Sequence, residues 1–240
     1  LFTGTKDGAI NRNHYLIGLD GKGLRRLTPG TGSHSVTWNK DKSLYVDSLT
    51  SLANPGVHRL YSRDGKLIRE LGRDTAPAAG DRFGFVQPEL VTIKARDGYE
   101  LDGLVIKPRE FDPHRKYPVW IDIYAGPNSP TVRNRWMGDP WFQYLAQQGL
   151  IVLRFNVRSA SGRGHAHTAT CYKQLGVVEL RDVVDAVEWI CKNSWADSER
   201  VGMTGYSYGG FMTALALINT DKFKLGVAGG GVYDWRNYDT

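Results

Sequence analysis

Six consecutive residues, Gly205-Tyr206-Ser207-Tyr208-Gly209-Gly210, contain the pattern Gly-x-Ser-x-Gly. In a chain with 28 glycines the bare pattern is weak evidence, so its weight comes from its flanks. Arg200 to Thr204, just before it, reads as a strand, and the apolar stretch Phe211 to Ile218 after it has helical composition. Strand, sharp turn, helix is the arrangement that holds a serine in strained backbone at the carboxyl edge of a sheet, with glycines where a Cβ would collide. Ser207 is therefore the candidate nucleophile for acyl transfer; the plainer alternative is a structural serine in a tight turn.

An alcohol is a weak nucleophile at neutral pH, so Ser207 needs a histidine base and a carboxylate to orient it. In hydrolases built around such an elbow the chain order is Ser, then Asp or Glu, then His. All six histidines, at 14, 34, 58, 114, 165 and 167, precede Ser207; after it come Asp221, Asp234 and Asp239 and no histidine. The triad is not completed in that order within these 240 residues. His165 and His167 are read as exposed loop residues rather than a base or a metal pair. Acyl transfer also needs oxyanion donors, and the backbone N–H of Tyr208 supplies one. Tyr124 closes an apolar strand, Val119 to Tyr124, ahead of Ala125-Gly126-Pro127, which brings it by topology to the same sheet edge. A phenol can donate a hydrogen bond there, although taken alone Tyr124 is more often a packed aromatic.

The elements that must position these residues follow from periodicity. Leu90 to Ala95 and Tyr99 to Ile106 alternate around Asp97-Gly98 as an antiparallel hairpin. Pro140 to Gln148 reads as a short helix with Pro at its start and Gly149 past its end, and Leu150 to Asn156 as a buried strand. Leu180, Val183, Val184, Val187, Ile190 and Cys191 recur at helical spacing. Strand alternating with helix implies an α/β fold with a largely parallel, doubly wound sheet.

The first third differs in character. LIGLDGKGLRRL, from Leu16 to Leu27, aligns with LYSRDGKLIREL, from Leu60 to Leu71, each reading as strand, Asp-Gly turn, strand. Hairpins repeating every 40 to 45 residues or so suggest propeller blades, of which only about one and a half would be present. Gly72 to Arg82 has neither periodicity and is the expected boundary, giving a propeller part over 1–80 and a hydrolase part over 81–240.

Composition excludes several function classes. The net charge of +6 lies almost wholly in residues 1–80, on scattered basic residues that do not interleave with aromatics, so a nucleic-acid partner is not expected. No stretch approaches the ~18 apolar residues of a membrane span. Cys171 and Cys191 are read as free thiols, a single bridge between them being the alternative; they lack metal-ligand spacing, and neither metal nor cofactor is expected. The chain begins at Leu1 with no basic and apolar leader, which points to a processed protein or a fragment and leaves the compartment unread.

GYSYGG, YAGPNSP with Tyr124, NVRSASGRG from Asn156 to Gly164, the helix GVVELRDVVDAVEWI and the closing GGGVYDWRNYDT together resemble the prolyl oligopeptidase family of serine peptidases, most of all its dipeptidyl peptidase IV branch. The resemblance is dense over 81–240 and extends to 1–80 only as blade pattern. It implies the last blades of a β-propeller joined to the N-terminal part of an α/β-hydrolase domain. It also implies hydrolysis of peptides after proline or alanine, with release of N-terminal dipeptides. Carried over by motif, Ser207 is the nucleophile, and Tyr124 with the Tyr208 amide forms the oxyanion hole. Tyr208, Val232, Trp235 and Tyr238 line the pocket for the residue before the scissile bond, usually proline. The family's catalytic Asp and His fall beyond Thr240, so the chain is expected to be truncated at both ends and inactive by itself; a homodimeric parent is compatible with the resemblance. Two features depart from the branch: no glutamate pair for the substrate amino terminus is matched, and the DGRGSG loop is here NVRSASG, keeping Arg158 but losing its glycines. An esterase or acylaminoacyl hydrolase of the same fold, and a non-catalytic propeller-hydrolase scaffold, are the competing expectations.

Overall fold

Both halves of the repeat fold as hairpins, in two different sheets. The structure, a computed structural model, describes residues 1–75, 84–137 and 139–238; most of the expected boundary segment, 76–82, lies outside them. The first sheet pairs β1 (Phe2–Gly4), β2 (Asn13–Leu16) and β3 (Arg25–Arg26) in that order. The second is a four-stranded antiparallel meander of β4 (Ser33–Trp38), β5 (Leu44–Ser51), β6 (Asn54–Ser62) and β7 (Leu67–Asp74). Leu16 thus ends β2 as Leu60 lies in β6, and β3 corresponds to β7. Asp-Gly does the same work in each loop. Gly21 at φ +78° and Gly65 at φ +87° take the left-handed backbone that their turns require, and their amides close them onto Gly18 O and Ser62 O. The meander is one propeller blade, preceded by a three-stranded partner sheet. Its interior is aromatic: Tyr45 stacks on Tyr61 at 5.2 Å, touches Trp38 at 4.6 Å and donates its hydroxyl to Leu27 O.

The chain divides into two compact units, Leu1–Gln87 with Arg133–Gly138, and Pro88–Val132 with Asp139–Thr240. The second unit is a six-stranded sheet. Its strands are β8 (Glu89–Lys94), β9 (Glu100–Ile106), β10 (Tyr117–Asp122), β11 (Ile151–Phe155), β12 (Ala196–Tyr206) and β13 (Leu225–Gly229). The spatial order is β13-β12-β10-β11-β9-β8. The four strands from β13 to β11 are parallel, and the β8–β9 hairpin adds antiparallel to β11, so the sheet is the expected mixed α/β one. β10 begins earlier and stops two residues sooner than expected. Pro118 inside it has no N–H to give, and the ladder to β12 shifts register there, between Tyr117 and Val119.

Among the described residues this unit has four α-helices, α1 (Pro140–Gln147), the single turn α2 (His165–Thr168), α3 (Val177–Cys191) and α4 (Tyr208–Asn219). Asp139 caps α1 by accepting from Trp141 N, and Gly149 at φ +81° ends it. On α3, Val183, Ala186, Val187 and Ile190 are buried as the periodicity requires. Three carboxylates, Glu179, Asp182 and Asp185, are buried with them, which an apolar-face reading does not foresee. Each has a partner. Asp185 pairs with Arg96, Asp182 with Arg158, and Glu179 with the Tyr208 hydroxyl.

Candidate active site

Strand β12 delivers Ser207 to the edge of the sheet and α4 starts at the next residue, so the serine occupies the junction itself. Its backbone sits at φ +58°, ψ −119°, a region that costs a non-glycine residue of order 1–3 kcal/mol unless the surroundings hold it. They do so with hydrogen bonds on both sides: Ser207 N donates to Gly229 O at the end of β13, at 2.9 Å, and Ser207 O accepts from Phe211 N in α4, at 3.1 Å.

Backbone also closes around the serine. A Cβ on Gly205 would fall 2.4 Å from the Gly209 carbonyl and 2.6 Å from Ile123 O. A Cβ on Gly209 would fall 2.2 Å from Ile123 O and 3.1 Å from the Cα of Tyr124, and one on Gly210 would lie 2.3 Å from Gly229 O. Glycine at these positions lets three backbone segments meet at the elbow: the exit of β10, the first turn of α4 and the exit of β13. The backbone of Tyr124 is thereby pressed against the turn that follows Ser207. Ala125 beside it is held at φ +62°, and the Tyr124 ring lies 6.5 Å from the Tyr208 ring.

Aromatic contact continues outward from there. Tyr208 is buried, edge-on to Phe211 at 5.4 Å and tilted against Trp235 at 5.6 Å. Trp235 meets Tyr238 at 5.4 Å, and Tyr238 is exposed. Val232 is half-buried in the segment between β13 and Trp235. Tyr124, Tyr208, Trp235 and Tyr238 therefore form one chain of rings running from the elbow to the surface, with Val232 on the loop that carries its outer half.

Two charged features lie under this site, Glu179, which the sequence reading did not pick out, and Arg158, which it named only as the residue its loop retains. The Tyr208 hydroxyl donates to Glu179 Oε1 at 2.9 Å, and Glu179 Oε2 accepts from Gly176 N at 3.1 Å. Burial pushes the Glu179 carboxyl up from its ordinary range, against the pull of these hydrogen bonds, and burial together with Glu179's charge pushes the Tyr208 phenol up. The sequence signal for Glu179 is the spacing Gly176-x-x-Glu179, an N-terminal capping arrangement at the start of α3. The second feature is Arg158, in a buried 3₁₀ turn (Arg158–Ala160) after β11. Its guanidinium bonds Asp182 Oδ1 at 2.6 Å and Asp97 Oδ2 at 2.8 Å, and its N–H donates to Asp182 Oδ2 at 2.8 Å. Burial opposes its charge, and the two carboxylates more than offset that, so its pKa is raised. The loop that carries Arg158 is thus clamped to the β8–β9 turn and to α3.

His165 is exposed, whereas His167 is half-buried with its ring bonded to the Tyr99 hydroxyl at 3.0 Å; both sit on the turn α2 rather than in an irregular loop. Cys171 and Cys191 are free. Among the described residues no group of three or more His, Cys, Asp and Glu is placed to hold a metal, and no helix is long and apolar enough to cross a membrane.

Residues 136–240 match the sequence profile of the prolyl oligopeptidase family. Over 250 aligned residues, covering the whole of this chain, it is 28% identical to human dipeptidyl peptidase 8 and spans 28% of that protein. The crystal structure of Porphyromonas gingivalis dipeptidyl peptidase 4 superposes on 98% of the chain with a TM-score of 0.88 and 31% sequence identity, the match taking up 34% of the bacterial protein. The chain therefore spans about a third or less of the relatives it resembles.

Proposed function

We propose that this chain, whose residues 136–240 match the prolyl oligopeptidase family, forms the nucleophile-bearing part of a serine peptidase that cleaves after proline or alanine and releases N-terminal dipeptides. The observation that carries the proposal is the strained backbone of Ser207 at a glycine-packed strand-to-helix junction, with Tyr124 held against the same turn. In this reading Ser207 Oγ attacks the scissile carbonyl carbon while its proton passes to a histidine base. The carbonyl oxygen becomes an oxyanion that accepts from the Tyr208 N–H and the Tyr124 hydroxyl. Collapse of the tetrahedral species expels the amine, which takes the proton from the histidine. The acyl-enzyme on Ser207 is then hydrolysed by water in the same way.

The proline ring before the scissile bond would sit among Tyr208, Val232, Trp235 and Tyr238. A flat apolar ring against aromatic faces gains contact area without ordering a flexible side chain, which favours proline over longer residues. In this reading a carboxylate and then the histidine base follow Ser207 in chain order, and residues 208–240 contain no histidine. That arrangement of aromatic pocket and phenolic oxyanion donor favours a peptidase over an esterase of the same fold.

The test is covalent labelling of the full-length protein with a fluorophosphonate, with hydrolysis of a glycyl-prolyl chromogenic amide measured beside it. Ser207→Ala is expected to abolish both while leaving the circular dichroism spectrum unaltered. Labelling that persists in the variant moves the nucleophile elsewhere.

A further inference from the structure

The first residue of α4 has two expected jobs, one through its amide and one through its ring, and its side chain ends on a buried acid. We infer that Glu179 is a positioning residue: by holding the Tyr208 hydroxyl it fixes the ring wall of the substrate pocket and sets the preference for proline over smaller residues. This rests on the peptidase reading above, and it adds to that reading a residue from a different helix, one that touches neither the nucleophile nor the substrate.

The geometry supports this in three ways. First, Glu179 is fully buried, and both of its oxygens are committed, one to Tyr208 Oη and the other to Gly176 N. A buried carboxylate is costly to keep, and one whose oxygens serve a tyrosine and a helix N-terminus is held in a single orientation. Second, Gly176 is itself fixed: it sits at φ +87°, and a Cβ there would fall 2.6 Å from Leu215 and 3.0 Å from Phe211, both on α4. The acceptor is therefore anchored to the start of α3, which packs against the helix that carries Tyr208. Third, the Tyr208 ring has aromatic neighbours on several sides, Tyr124, Phe211 and Trp235, at 5.4 to 6.5 Å, but these apolar contacts tolerate sliding and rotation. The bond to Glu179 is a directional contact that pins the outer end of the ring and stops it from swinging or sliding.

A snug wall matters more for proline than for alanine, because proline fills the pocket and alanine leaves room. Loosening the wall should therefore cost prolyl substrates most. A purely structural role for the pair makes a different forecast. Removing one partner strands a buried polar group, whereas replacing both with apolar groups restores stability. If the pair only supports the fold, specificity should return along with stability in the double variant. If it positions the ring, stability should return and specificity should not.

The experiment is a double-variant cycle in the full-length protein with Glu179→Leu, Tyr208→Phe and the two combined, plus Glu179→Gln as the conservative change. Melting temperature, fluorophosphonate labelling of Ser207, and kcat and KM for glycyl-prolyl and glycyl-alanyl amides are read for each. The expected result is a drop of about tenfold in the Pro/Ala ratio of kcat/KM, the scale of one hydrogen bond to a charged group. It should be carried mainly by KM for the prolyl substrate, be the same in each single variant and in the double, and be partly rescued by Glu179→Gln, which keeps an acceptor for the phenol. A Pro/Ala ratio that stays at the wild-type value in Tyr208→Phe, or that recovers with the melting temperature in the double variant, overturns the inference. Failure of the wild-type protein to label or to turn over either amide would instead overturn the peptidase reading, and this inference with it.

Discussion

Strain at a single residue is the most specific thing this molecule offers. Ser207 is one of five non-glycine residues with positive φ among the described ones, and it is the one flanked by glycines that accept backbone from three directions. Alanine at Gly209 would drive a methyl group into Ile123 O and displace the turn that carries both Ser207 and the Tyr208 amide. We expect Gly209→Ala to destabilise the protein by about 1–3 kcal/mol, as overpacking does, and to lower the rate of fluorophosphonate labelling by more than its stability loss explains; a labelling rate equal to wild type would show that the elbow tolerates the methyl. Tyr124 makes a complementary prediction. Loss of one oxyanion donor typically costs about 2.7–4 kcal/mol in the transition state, so Tyr124→Phe should reduce kcat roughly a hundredfold to a thousandfold with little change in KM. A change confined to KM would make Tyr124 a pocket wall.

Helix α3 shows how much of the architecture can be read in advance and where the reading stops. Its inward face follows from Val183, Val187 and Ile190 at helical spacing, and the β8–β9 hairpin follows from Asp97-Gly98 between alternating segments. The turn at Ser207 and its flanking glycines are equally legible, because each is a local demand of that turn, whereas Tyr124 is brought to it only by the order of the strands. The buried acids were not. Glu179, Asp182 and Asp185 look like solvated charge on a helix, and only distant partners make them interior: Arg158 lies 24 positions from Asp182, Tyr208 29 from Glu179 and Arg96 89 from Asp185. Arg158 could be named from its loop motif, but its partners could not. Removing it should leave Asp182 as an unpaired buried charge. Arg158→Met is accordingly expected to cost about 3–5 kcal/mol in urea unfolding, and Arg158→Met combined with Asp182→Leu less than Arg158→Met alone. Glu179 adds a pH signature. Its folded pKa is raised, so the native state holds the proton more tightly, and its favourable contribution is complete below the ordinary carboxylate range and declines as pH rises through the raised value. Asp97 behaves oppositely: Arg158 lowers it to about 2, so its contribution is present above its ordinary value of 3.8 and is lost only as pH falls toward about 2. Comparing wild type with Glu179→Gln should show a stability difference that changes above pH 4.5 and is flat below it; a flat difference throughout would mean Glu179 titrates normally.

At the scale of the whole molecule, chemistry and solubility make linked demands. The parallel sheet presents β13 at one edge, with Leu225 and Val227 more than half exposed, and Ile218 on α4 is 82% exposed. In the blade unit, every residue of β7 is exposed, including Leu67, Ile68 and Leu71. Apolar side chains on an unpaired strand edge invite pairing with another chain, and blades bury their faces against neighbouring blades. The site has the corresponding chemical gap, since no histidine follows Ser207 in these 240 residues. Without its base a serine hydrolase retains only the residual catalysis that binding and the oxyanion hole supply. A polypeptide of residues 1–240 alone is therefore expected to self-associate on size-exclusion chromatography and to release no product from a glycyl-prolyl amide. A longer polypeptide that reaches a downstream Asp and His should be monodisperse and active. Both outcomes are decided by the same comparison, because extending the sheet past β13 is also what would bring the base to Ser207. Turnover by the short polypeptide that Ser207→Ala abolishes would place the base at one of the six histidines before Ser207, and the order argument for a downstream triad would fall.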